Sequence, residues 1–100
     1  MNSSTPLLSF AESIELGKYD QEYLSQYQEW RELDRQLKFQ FISKAIKKRR
    51  LQLRLQWANL ANQPNFSKKP HLLDAQKKVE QALSDLEKDE EVLMVEYAGC

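Results

Sequence analysis

Turn-forming residues are scarce in this chain: two glycines and three prolines in one hundred residues. A sheet protein needs more, so the shortage points to helices. Two glycines also exclude a glycine-rich phosphate loop. The single cysteine, Cys100, excludes an internal disulfide framework and a cysteine-based zinc site, leaving at most an intermolecular bridge on oxidation. The only histidine, His71, has no second His or Cys nearby and reads as a capping or surface residue. Apolar runs are a few residues long, against the roughly 20 that a membrane span needs. Residues Met1–Pro6 lack the basic start and apolar core of a signal peptide. A soluble, cytoplasmic protein is expected.

What the chain does contain is charge, and it is segregated. The formal net charge is zero, yet residues 1–40 carry seven acids and four bases, residues 41–78 ten bases and one acid, and residues 79–100 seven acids and one base. A strongly basic middle is followed by a strongly acidic end. Aromatic residues make up 10%, and with recurring Leu and Ile they exclude a disordered chain.

The expected architecture is all-α and a single domain: a long antiparallel, coiled-coil-like helical hairpin, with a short N-terminal helix folding back on its central helix. Residues 1–8 read as loose. Ser9-Phe10-Ala11-Glu12 has capping-box spacing and opens a short helix over about 10–16, with Gly17 as its stop. No Gly or Pro occurs from Asp20 to Asn62, so one helix is expected over about 21–61, a rod of about 60 Å. Its apolar residues form two stripes. Tyr23, Tyr27, Trp30, Leu33, Leu37 and Phe41 share one face; Ile42, Ile46, Leu53, Trp57 and Leu60 share another, turned by about 120° at 100° per residue. Such a rod needs two different neighbours.

Two prolines and two asparagines within 62–70 mark a loop. Leu72, Ala75, Val79, Ala82 or Leu83, Leu86, Leu93 and Tyr97 then follow heptad spacing in a third helix over about 71–98. Folding back about Phe66 sets Leu60 opposite Leu72, Leu53 opposite Val79 and Ile46 opposite Leu86. The same register brings Lys44, Lys47, Lys48 and Arg50 alongside Glu80, Asp85, Glu87 and Glu91.

Two surfaces stand out as candidate sites. Tyr23, Tyr27, Trp30, Leu33 and Leu37 form an aromatic and apolar face too large for the short N-terminal helix to cover, and such residues are favoured at protein interfaces. They are the expected contact of a homodimer. Lys44, Lys47, Lys48, Arg50 and Arg54 form a basic face able to neutralise phosphates. With Leu51 and Leu55 among these bases, the strip also suits an anionic membrane surface. The near-zero overall charge favours pairing with the acidic helix over nucleic-acid binding.

The leading expectation is a non-enzymatic protein-protein interaction module, an adaptor or regulator, that binds itself and another protein. Nucleic-acid binding by residues 44–54 is the alternative, and membrane binding ranks behind both. Carboxylates lie among lysines with no apolar enclosure to raise a pKa, so no catalytic residue, metal, cofactor or small-molecule substrate is expected.

Overall fold

The computed structural model describes residues 8–98, and among these it is all-α, without a strand. Five α-helices follow one another: α1 (Phe10–Glu15), α2 (Gln21–Leu24), α3 (Gln28–Arg31), α4 (Arg35–Ala61) and α5 (Pro70–Ala98), with a 3₁₀ turn at Phe66–Lys68 before the last. The expectations for residues 1–7 and for Cys100 lie outside the described residues.

Local chemistry sets the ends of α1. Ser9 Oγ accepts from the Glu12 amide at 3.1 Å, while Glu12 returns its carboxylate to the Ser9 amide at 2.9 Å. This capping box satisfies two otherwise orphaned donors. At the other end Gly17 adopts φ +82°, and the Lys18 amide closes onto the Ser13 carbonyl at 2.9 Å. Gly17 is also pressed against α4: a Cβ there would stand 2.9 Å from Arg49 Cβ. A left-handed conformation and a close approach coincide at one residue, and only glycine meets both.

The continuous helix expected over 21–61 is broken twice, although neither break contains Gly or Pro. At the first, Ser25 turns its hydroxyl back onto the Glu22 carbonyl at 2.6 Å, and Gln26 Nε2 donates to the Tyr23 carbonyl at 2.9 Å. Arg31 Nη1 reaches the Ser25 carbonyl at 2.8 Å. These side chains replace ladder bonds that a continuing helix would have made. At the second, Asp34 accepts from the Leu37 amide at 2.8 Å and acts as N-cap of α4. The two single-turn helices between them bury Leu24, Tyr27 and Trp30. A straight rod would have kept those side chains on one line in water. Burial decides against it.

The 27-residue helix α4 keeps two apolar faces because it packs against two neighbours, α5 and α1. Ile42, Ala45, Ile46 and Leu53 are buried on it, and Leu86 and Leu93 on α5. Asn62 ends α4, and Pro64 cannot continue it. Asn65 takes φ +55°, a left-handed turn that asparagine tolerates. Pro70 stands in the first turn of α5, where its missing N–H costs nothing.

Contacts between the two long helices include Trp57 Nε1 on Glu80 Oε2 at 2.9 Å, and Arg50 on Glu90. At one end Phe39 and Tyr97 stack at 5.7 Å. Arg35 donates to the Glu96 and Tyr97 carbonyls, occupying acceptors that the end of α5 leaves open. The result is a thin body of 51 × 42 × 15 Å. Its radius of gyration, 16.6 Å, exceeds the about 13 Å of a compact 100-residue domain. Much of the apolar sequence therefore remains near the surface.

Candidate interaction surfaces

The aromatic half of the chain turns inward. Tyr27 and Trp30, expected at a contact between molecules, are only 6% and 3% exposed inside the chain's own core. Phe10 of α1 sits against Tyr27, Trp30 and Phe41 at ring separations of 5.8, 6.4 and 5.1 Å. The tyrosine hydroxyls meet at buried Ser13, whose Oγ is 2.7 Å from Tyr27 and 3.1 Å from Tyr23; Tyr27 donates to the Leu8 carbonyl at 2.8 Å. Hydrogen bonds from Ser13 and Tyr27 hold the Tyr23 phenol below its usual pKa, whereas burial raises that of Tyr27. Tyr23 and Leu33 are half-buried against this core, and only Leu37 of the expected set is exposed. The helix breaks let α1 cover what a straight rod would have left open.

The basic strip is divided. Lys44 and Lys48 both reach Glu15 on α1, at 3.3 and 3.0 Å, and not the acids of α5. The two lysines, Lys48 foremost, hold the Glu15 carboxyl below its ordinary pKa. Arg50 pairs with Glu90 on α5, as the sole ion pair between the long helices among the described residues. The broad charge pairing expected across the hairpin is thus reduced to one contact, because α1 takes two of the lysines. Arg49, on the inner side, is half-buried and bonds Gln52 at 3.3 Å.

Lys47 and Arg54 are exposed and, among the described residues, have no ion-pair partner. Beside them stand Leu51 and Leu55, 56% and 55% exposed. At 100° per residue Leu51 lies about 160° around α4 from buried Leu53, so this strip faces away from the core. Leu37 lies on the same side by the same count.

A second surface is a groove between the α1–α2 connection and the C-terminal half of α5. It encloses about 670 Å³. Lys18, Tyr19 and Asp20 form one wall, with Asp89, Val92 and Glu96 on the other. Tyr19 donates to Asp89 at 2.6 Å, and Gln21 Nε2 approaches Glu96 at 3.4 Å. Both donors are uncharged, so they orient the carboxylates without neutralising them. Burial, then the bond to Asp89, pushes the Tyr19 phenol well above its usual pKa. Val92 is 64% exposed, and Met94 and Val95 are exposed beside it.

His71 is exposed at the start of α5. Among the described residues no cluster of His, Cys, Asp and Glu has the make-up of a metal site, and no helix is long and apolar enough to cross a membrane. Sequence reasoning missed the groove, since its walls come together only where the chain breaks at Gly17. Val92, off the heptad stripe of the last helix, was its one legible signal. Compared with family models, curated proteins and solved structures, the chain matches none.

Proposed function

We propose that this chain is a non-enzymatic helical interaction module. In this reading α4 and α5 act as an antiparallel, coiled-coil-like hairpin, α1–α3 fold back on it, and the module associates with a second copy of itself through outward apolar residues. The hairpin is supported by contacts that pair the start of α4 with the end of α5 (Arg35 with Tyr97) and later α4 with earlier α5 (Trp57 with Glu80). One observation carries the association: Leu51 and Leu55 stand in water on the outer side of α4, beside Lys47 and Arg54, which have no ion-pair partner among the described residues. A helical surface of that kind fits an acidic, apolar partner surface. Tyr27 and Trp30, being core residues, serve the module as its internal support.

Size-exclusion chromatography with light scattering, in reductant and at low and high salt, tests this reading. At low salt it expects nucleic-acid-free species larger than the 11.8 kDa chain. Leu51→Glu with Leu55→Glu should return them to the monomer while leaving the helical signal unchanged. A monomer for the unaltered chain contradicts self-association. The competing reading, nucleic-acid binding by Lys44, Lys47, Lys48, Arg50 and Arg54, is favoured by the two unpaired cations but weakened by the three paired ones. Co-purifying nucleic acid, seen as a raised 260/280 nm ratio that salt removes, would place it first.

A further inference from the structure

The outer strip of α4 and the groove beside α5 have opposite charge and matching apolar content. The strip offers Leu51 and Leu55 with Lys47 and Arg54, which have no ion-pair partner among the described residues; the groove offers exposed Val92 with Asp89 and Glu96, whose carboxylates have as donors, among the described residues, the uncharged Tyr19 and Gln21. Lys18, the one cation on the groove wall, lies over the Tyr23 ring at 5.8 Å. Charges left unneutralised at a surface repel their own kind and favour the complementary surface. Among the described residues no hydrogen bond or ion pair joins the two surfaces within one molecule.

We infer that the groove of one copy receives the α4 strip of the next, setting Leu51 and Leu55 against Val92, and Lys47 and Arg54 against Asp89 and Glu96. This rests on the interaction-module reading and specifies its partner and register. Each contact joins two different surfaces: a pair held by one contact leaves a strip and a groove free, whereas a two-fold pair uses both surfaces of both copies. Association therefore closes as a two-fold pair where both contacts form at once, and otherwise continues into a ring or an open row. Because the charges are at the surface, salt weakens the contact.

Two variants separate the halves of the interface. Lys47→Gln/Arg54→Gln disables the strip and keeps the groove. Asp89→Asn/Glu96→Gln disables the groove charges, yet keeps acceptors for Tyr19 and Gln21. Sedimentation velocity on the unaltered chain at low salt should show mass rising with concentration above 11.8 kDa, and falling toward 11.8 kDa at high salt. Each variant alone should associate at least about tenfold more weakly, the equivalent of 1.4 kcal/mol. An equimolar mixture should regain a complex of two chains that grows no further, which also shows that both variants are folded. If the unaltered chain assembles and both variants assemble equally well, this register is overturned while self-association stands. The register is also overturned by a mixture no more associated than its components. A monomeric unaltered chain overturns both.

Discussion

Replacing Trp30 by alanine separates a core tryptophan from an interface tryptophan. The indole is 3% exposed, sits 6.4 Å from the Phe10 ring, and has Lys38 Nζ 5.4 Å above its face. Truncating a buried aromatic to alanine costs about 3–5 kcal/mol, through lost transfer energy and the cavity left behind. Whole-domain stability is about 5–15 kcal/mol, so the change removes a large share of it. At about 4–8 °C per kcal/mol for a domain of this size, the midpoint should fall by about 12–40 °C. Thermal unfolding followed by circular dichroism at 222 nm reads this directly. Trp57, the other tryptophan and partly exposed, remains as a fluorescence reporter. A Trp30→Ala chain that keeps the parent midpoint but loses assembly mass would refute the buried placement, because an interface residue can be removed without unfolding the monomer.

Gly17→Ala should destabilise by more than about 1 kcal/mol in denaturant titration, since alanine disfavours φ +82° and its Cβ would crowd Arg49. A neutral result would mean that the α1–α4 approach is looser than described. Ser13→Ala removes the fully buried hydroxyl between Tyr23 and Tyr27 and should cost about 1–3 kcal/mol, with Ser13→Thr no better if the fit is tight. On alkaline titration followed at 295 nm, Tyr19, Tyr27 and Tyr97 should ionise above the usual pKa of 10 and Tyr23 below it, whereas in denaturant all four converge. Tyr19→Phe should remove a late component, and the stability linked to raised phenols should be present below pH 10 and decline above it. The Glu12 and Glu15 carboxyls have pKa values below 4.5, so their contribution should be present above that pH and be lost as pH falls through their lowered values. Amide exchange at 9–16 followed against pH checks this, and Glu15→Gln should flatten the response.

The helical class was legible because so few residues in this chain can make turns, and the capping box at Ser9–Glu12 named the start of α1 correctly. What was not legible was the division of residues 20–61. No Gly or Pro marks it; Ser25 and Asp34 do, and both are residue types whose side chains compete for backbone partners. Their effect depends on what the break gains, here the burial of Leu24, Tyr27 and Trp30 beneath Phe10. That gain is non-local, so it has no signature in helical periodicity. The same event changed the meaning of the aromatic stripe. Tyr23, Tyr27 and Trp30 share a face in a continuous helix and look like an open interface; folded at Ser25 and Asp34 they become an interior. Charge misled for a related reason. Lys44 and Lys48 were expected to meet α5, but α1 places Glu15 between them. Leu51 and Leu55 stay exposed on α4 in either arrangement, whereas three of the five bases around them are drawn into ion pairs.

The central claim is that molecules meet through the outer side of α4 and the groove at α5, not through the aromatic half. Two-dimensional ¹H–¹⁵N spectra recorded across a dilution series at low salt test it most directly. The account predicts concentration-dependent shifts and broadening at residues 47–55, at 17–21 and at 89–96, with the signals of Tyr27 and Trp30 unmoved. Changes concentrated at residues 23–37, with the α4 strip and the groove silent, would contradict it.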